Sequence, residues 1–282
     1  MARGGPTVKN LFSLEGKIAL VTGGSAGIGA MIAEGFVAFG AKVYIVARRE
    51  DALRKKRDEL AKAGSCEYIQ ADVSTVPGIE RLARAYGERE RSLDILVNDA
   101  GISDGLRKVE DVAEETWDAV MNLNIRTVFF MIKAFLPFLR VGASPETPRN
   151  VINIASIDGC GKINSAYNYA YGVSKAGVIQ LGRHLGDSLA WEGIHVNTIS
   201  PGDFPTDLNK AARDHTGEMK KMIAAKRIGE AENAAGAAIF LASRAGSFSV
   251  GSNIVIDGGE SVRGVQRGFY ATVWPDFVRL DR

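Results

Sequence analysis

The feature that most constrains this chain lies near its start, where a short apolar run meets a cluster of glycines. Lys17 to Val21 reads as a buried strand, and Thr22-Gly23-Gly24-Ser25-Ala26-Gly27-Ile28-Gly29 follows at once. Ala30 to Phe39 then shows helical apolar spacing and stops at Gly40. A strand, a glycine turn and a helix in that order are the setting of a phosphate-binding turn. Gly23 suits the tight turn, Gly27 lets the backbone approach a pyrophosphate, and Gly29 lets the helix pack close to the sheet. The helix start turns free N–H groups and the positive dipole end toward the anion, and Ser25 offers a hydroxyl there. Glycines that serve only a strand–helix connection are the plainer alternative. Three at this spacing, directly after the first strand, make it the minor one.

The rest of the chain repeats the alternation. Strands are expected at Val43 to Val46, Cys66 to Ile69, Leu93 to Val97, Val151 to Ala155, Ile194 to Ile199 and Asn253 to Ile256. Between them lie a charged helix from Glu50 to Ala63, a helix entered at Pro77 and running to Tyr86, and a long amphipathic helix from Glu115 to Leu139. Further helices are expected within Tyr169 to Trp191 and over Ala231 to Ser243, with a polar, lysine-rich helical stretch from Thr206 to Lys226. Strands alternating with helices imply a parallel sheet covered on both faces. At 282 residues and 46% hydrophobic, the chain fits one large α/β domain better than two small ones.

Charge and cysteine usage narrow the function classes. The net charge is +2, and Lys55-Lys56-Arg57 reads as a solvated helix face, so nucleic-acid binding has little support. Cys66 and Cys160 have neither metal-ligand spacing nor a disulfide framework, and no metal is expected. Met1 to Ser13 lacks the apolar core of a secretory signal. The greasiest run, Val128 to Leu139, is too short to span a bilayer and carries Lys133 and Pro137. A soluble, cytoplasmic protein is expected.

Tyr171 and Lys175 are four residues apart, which on a helix places phenol and ammonium on one face. An ammonium there is expected to lower the phenol's pKa toward neutrality and fit it for proton transfer. Tyr167 and Tyr169 have no lysine four residues on.

Thr22-Gly23-x-x-x-Gly27-x-Gly29, Asn98-Asp99-Ala100-Gly101, Ser156, Tyr171-x-x-x-Lys175 and Pro201-Gly202-x-x-x-Thr206 stand in that order, each at an expected strand end or helix start. Together they resemble the short-chain dehydrogenase/reductase family over residues 14–258. Within it the chain is most similar to carrier-protein β-ketoacyl reductases of the rhamnolipid-pathway branch. Leu11 to Leu14, Ile18 to Ile28, Ala143 to Pro148 and Val151 to Ile154 carry that likeness. The resemblance implies a single Rossmann-like, doubly wound, parallel seven-stranded sheet with helices on both faces. It implies Tyr171 as proton donor, Lys175 as its partner and a nicotinamide-ribose contact, Ser156 on the substrate oxygen, and Asn124 holding a relay water. For Ser156 the plainer alternative is a turn serine, and for Asn124 a helix-interior asparagine.

For the cofactor, the second strand ends Val46-Ala47-Arg48-Arg49 with no acid before Glu50. A basic residue there accepts the 2′-phosphate of NADP, so Arg48 points to NADP(H) rather than NAD(H), with a surface arginine at a helix start as the plainer alternative. By resemblance, Ile28 joins the glycine turn, Asp72 and Val73 meet the adenine edge, and Asn98, Ala100 and Gly101 line the adenosine ribose. Pro201, Gly202, Phe204 and Thr206 lie against the nicotinamide. A turn or cap aspartate competes for Asp72. Asp99 stands where the family usually has asparagine, which puts a sheet-bracing hydrogen bond in doubt.

The stretch 206–227 is the expected lid. Its Lys210, Arg213, Lys220, Lys221, Lys226 and Arg227 suit an acidic carrier or coenzyme A thioester, with a solvated helix face an equal alternative. Residues 260–282 form an extension whose Phe269, Tyr270, Trp274, Pro275 and Phe277 suggest packing at an interface or the pocket mouth. Ile157, Cys160, Ile163 and Tyr167 are candidates for shaping the substrate site. The long helix and the helix after Tyr171 are apolar over wide faces. By the resemblance such helices build an interface, implying a homotetramer with a homodimer as runner-up, while faces that only cover the sheet are the plainer alternative.

The expected function is an NADPH-dependent ketoreductase acting on a β-ketoacyl thioester or similar ketone. Alternatives are an alcohol, sugar or steroid dehydrogenase working toward oxidation, and a catalytically silent NADP-binding regulator.

Overall fold

In a computed structural model, the described residues are 10–161 and 168–262. The strands are β1 (Ile18–Thr22), β2 (Lys42–Ala47), β3 (Cys66–Gln70), β4 (Ile95–Asn98), β5 (Arg149–Ile154), β6 (Ile194–Pro201) and β7 (Asn253–Ile256). The helices are α1 (Gly27–Ala38), α2 (Glu50–Leu60), α3 (Val76–Gly87), α4 (Glu114–Met121), α5 (Thr127–Leu139), α6 (Tyr169–Ala190), α7 (Lys210–Asp214), α8 (Thr216–Met222) and α9 (Ala231–Ala242). All strand pairs are parallel, in the order β3-β2-β1-β4-β5-β6-β7. The order reverses direction between β1 and β4, so a crevice opens at their carboxyl ends, where ligands bind in such sheets.

Two apolar layers sandwich the sheet. One packs α1 and α9 on it through Ile32, Phe36, Ala238 and Leu241. The helices approach closely because Gly35 has no Cβ; one added there would lie 2.5 Å from the Cβ of Ala235. The other layer seats α3, α5 and α6 through Leu82, Tyr86, Phe135 and Val178. Tyr86 meets Tyr44, Phe135 and Phe138 edge-on at 5.1–5.5 Å and donates to the Ser92 carbonyl.

Two expectations about elements need correction. The long amphipathic helix is interrupted by a π-helical turn at Asn122–Arg126, where Asn124 turns inward. The continuous run Glu114–Leu139 is therefore 26 residues long with mean hydropathy 1.4, longer than the apolar stretch alone. Its Val128, Met131, Ile132, Phe135 and Leu139 are spent in the core. The lysine-rich helical stretch is built of two short helices, α7 and α8. Within it Arg213 pairs with Asp207 and Asp214, and Lys221 with Glu218, which neutralises part of its positive charge.

The charged face of α2 stays solvated: Lys56 pairs with Glu59, and Arg57 lies over the Tyr68 ring. Cys66 and Cys160 are free thiols. Burial pushes the Cys66 thiol up to about 12, so it is an inert packing group.

Candidate active site

The strand register sets the site. Thr22, Asn98, Asn153 and Thr198 fall on one line across the sheet. The residues that follow them form the rim of the crevice. Gly23 and Gly27 adopt positive φ of 71° and 59°, as the turn requires. Ala26 stands at the N-cap of α1 without a side-chain cap, and the first turn of α1 holds no acidic residue. The helix start is left open to an anion, and the turn fits the pyrophosphate of a dinucleotide. Ser25 is half-buried in the turn, and the Ile28 side chain packs on the core. Across the crevice, Thr206 lies against Gly27; a Cβ there would be 3.6 Å from the threonine methyl.

The rim after β4 is tied to the turn. Thr22 Oγ1 accepts from the backbone N–H groups of Asp99 and Ala100 at 3.1 and 3.2 Å. Asp99 Oδ2 accepts from Gly29 N at 2.9 Å. This bond ties the rim to α1 through an acceptor oxygen, which aspartate and asparagine both offer; it is not the amide-donated sheet brace that the sequence put in doubt. Asn98 donates across the sheet to Asn153 Oδ1 at 2.9 Å. Gly101 leaves room for two groups, since a Cβ there would meet Asn124 Oδ1 at 3.1 Å and Lys175 Nζ at 3.6 Å.

Asn124 is buried and bonds to both backbone groups of Ile102, at 2.8 and 2.9 Å, and to Ser174 Oγ at 3.1 Å. The π-helical turn that bears it faces α6. Lys175 is also buried and donates from Nζ to the Ile154 carbonyl at the end of β5, at 2.8 Å. Its Nζ lies 5.5 Å from the centre of the Tyr171 ring. The Ser156 hydroxyl lies near enough to the Tyr171 phenol to favour its ionised form. Ser156 also accepts from Asp158 N at 3.2 Å, so it serves as turn serine and as phenol partner at once. Its turn lies flat on α6 because Gly159 has no side chain: a Cβ there would be 2.6 Å from the Lys175–Ala176 peptide. Asn124, Ser156, Tyr171 and Lys175 therefore meet at one place beside the glycine turn.

The expected pKa of the pair is corrected. Burial pushes the Tyr171 phenol up to about 12, opposed by the Ser156 hydroxyl and reinforced by the Asp158 and Asp99 charges. The lysine does not pull it down. Its own amine is desolvated and lowered to about 8, with the Asp99 charge opposing. The ordering of effects follows from burial: both charged forms lose water in the crevice, and desolvation outweighs the Ser156 hydroxyl at Tyr171 and the Asp99 charge at Lys175. Asp99 itself is pushed up to about 7, again by burial, while Lys175 and the Gly29 N–H pull it down.

The remaining predicted residues spread along the crevice. Arg48 is exposed just past β2, and its positive charge acts on Asp72. Asp72 is exposed and accepts from Ser74 N at 2.9 Å, which is the turn role. Val73 is buried, with its carbonyl bonded to Thr127 Oγ1 at 2.8 Å. Gly202 N donates to the Ile256 carbonyl at the end of β7, beside buried Pro201. The Phe204 ring is buried in the core and closely faces Gly229, so only its backbone can reach the crevice. Ile157 is buried, and Cys160 Sγ contacts the Ser156 carbonyl at 3.5 Å. Ile163, Tyr167 and the aromatic residues after Val262 lie outside the described residues.

One positioning residue carried no sequence signal. Asp104 is buried, and its two carboxylate oxygens accept from Ala170 N and Tyr171 N at 3.1 and 3.2 Å. It caps α6 at Tyr171 from a loop more than sixty residues away, with separations of 66 and 67 positions.

A doubly wound parallel sheet with a phosphate-binding turn and a Ser–Tyr–Lys cluster at its switch point defines a dinucleotide-dependent oxidoreductase. A family model described as enoyl-(acyl carrier protein) reductase matches residues 23–261. The chain is 44% identical over 251 residues to the rhamnolipids biosynthesis 3-oxoacyl-[acyl-carrier-protein] reductase of Pseudomonas aeruginosa, covering 88% of this chain and 97% of the relative. It is 34% identical over 250 residues to the 3-oxoacyl-[acyl-carrier-protein] reductase FabG of Vibrio cholerae, covering 88% and 98%. A solved Pseudomonas aeruginosa RhlG/NADP active-site complex superposes with a TM-score of 0.86 at 43% identity, covering 89% of this chain and 99% of that one. The chain belongs to the short-chain dehydrogenase/reductase family.

Proposed function

We propose that this protein is an NADPH-dependent ketoreductase that reduces a β-ketoacyl thioester or similar ketone to a secondary alcohol. The observation that carries the reading is the convergence of Tyr171, Ser156, buried Lys175 and buried Asn124 beside an uncapped glycine turn at the sheet's switch point. The relatives whose names specify 3-oxoacyl-carrier reduction support the substrate class. Arg48, exposed past a strand end without a carboxylate, supports the 2′-phosphate, as does the NADP in the similar solved complex.

The turn at Gly23, Ser25, Gly27, Ile28 and Gly29 would hold the pyrophosphate. Asn98, Ala100, Gly101, Asp72 and Val73 line the adenosine end, and Pro201, Gly202, Phe204 and Thr206 the nicotinamide end. Bound there, NADPH supplies hydride. Ser156 and Tyr171 hold the ketone oxygen, and the Tyr171 hydroxyl gives its proton to the alkoxide. Burial raises the phenol's pKa, so it is protonated at neutral pH, the form a donor needs. Lys175, braced by the Ile154 carbonyl, presents its amine to the ribose and to the proton path through Asn124. The complete set speaks against a silent NADP-binding regulator.

In this reading 14–258 is the catalytic core of a single domain, 206–227 its lid and 260–282 an extension. The assembly is a cytoplasmic homotetramer built on the faces of α5 and α6 that expose Phe129 and Val173. A panel of β-ketoacyl thioesters, free ketones, sugars and steroids, assayed with NADPH and NADH, tests the function. Fastest turnover of a β-ketoacyl thioester with NADPH is expected. Equal or better rates with NADH would overturn the role of Arg48, and a preference for sugars or steroids would overturn the substrate class.

A further inference from the structure

Asp99 is wedged against the phosphate turn. Besides the bond from Gly29 N, a Cβ added at Gly23 or Gly29 would come within 2.7 or 2.6 Å of its Oδ2. One carboxyl oxygen thus lies against the backbone of both glycines that frame the anion site. The charges around it are few. From α6, Lys175 attracts it, and Tyr171 is its other titratable neighbour. From α1 it meets backbone N–H and no acidic side chain, and β1 brings the Thr22 hydroxyl to its N–H. Asp158, beyond Tyr171, adds a second negative field on the phenol. A dinucleotide in the turn would set its phosphates on the far side of the same glycines, where an ionised Asp99 opposes them.

We propose that Asp99 makes cofactor binding proton-linked: its carboxyl group takes up a proton when NADP(H) occupies the glycine turn. The inference rests on the cofactor reading above. Its pH window follows from the site. With the carboxyl titrating near pH 7 in the chain alone, the proton is already present below that pH and must be acquired above it. NADP+ affinity therefore falls as pH rises through 7, by up to about tenfold between pH 6 and pH 8. An asparagine at the same place would keep a Gly29 acceptor and lose the linkage.

Infrared difference spectra of the full chain, recorded on adding NADP+ at pH 8, test this. A protonated-carboxyl band is expected to appear in the wild type and to vanish in Asp99→Asn, or in Asp99→Ser should the amide variant fail to fold. NADP+ titrations of the wild type in parallel are expected to show the weakening from pH 6 to pH 8. Absence of the band in the wild type, or its persistence in the variants, would overturn the proposal. NADP+ that binds with pH-independent affinity would overturn it while leaving the cofactor reading intact. NADP+ that fails to bind at either pH would remove both.

Discussion

At Asp99, burial and charge pull in opposite directions, and burial prevails. The carboxyl rises from its ordinary value of 3.8 to about 7. Across that window the native state holds a proton that the unfolded chain has released. Folding stability therefore falls as pH rises from about 4 to about 7 and is level beyond. Asp99→Asn is expected to flatten this fall and to stabilise the protein at pH 8 by on the order of 1–4 kcal/mol, since each unit is about 1.4 kcal/mol and Lys175 loses a counter-charge. Denaturant melts of both proteins at pH 4.5 and pH 8 measure it, and equal pH slopes would contradict the assignment. Lys175 shows the same physics with opposite sign, its amine lowered to about 8 by loss of water. The four-residue spacing of Tyr171 and Lys175 was legible in the sequence. The direction of their pKa values was not, because it depends on how deeply the crevice buries them.

Among the elements, α6 concentrates the chemistry, and its N-terminus is secured from outside. Tyr169 to Lys175 is a local pattern, so sequence could place Tyr171 and Lys175 on one helix face. Asp104, Gly159 and the Ile154 carbonyl approach α6 from other parts of the chain and left no comparable mark. The π-helical turn is of the same kind: its ladder shifts where Asn124 leaves α4 and α5 to bond Ile102 and Ser174. Asp104→Ala leaves two N–H groups at the start of α6 without a cap. A loss of about 1–3 kcal/mol in stability is expected, with kcat falling and NADPH affinity nearly unchanged. Asp104→Asn, which keeps one acceptor oxygen, is expected to recover part of both losses. A variant whose kcat equals the wild type would remove Asp104 from the positioning of Tyr171.

For the whole molecule, strand alternation and the glycine turn sufficed to anticipate a parallel sheet with ligands at its carboxyl edge. Motif order identified the family. The sheet's reversal between β1 and β4 then explains why residues as distant in sequence as Gly23, Asn124, Ser156 and Thr206 share one crevice. Assembly belongs to this scale too. Phe129 and Val173 are 41% and 50% exposed on α5 and α6, more than apolar side chains of a finished core would be. For the tetramer proposed above, a double variant, Phe129→Asp with Val173→Asp, is expected to shift sedimentation toward monomer. Sedimentation unchanged from the wild type would overturn an interface on these faces.

The central claim is that Tyr171 delivers the proton that completes ketone reduction. NADPH consumption with a β-ketoacyl thioester, compared between wild type and Tyr171→Phe at equal cofactor occupancy, tests it most directly. Loss of the hydroxyl is expected to lower kcat by roughly 10²–10⁴-fold, with NADPH binding retained. A Tyr171→Phe enzyme that turns over at the wild-type rate would contradict the account.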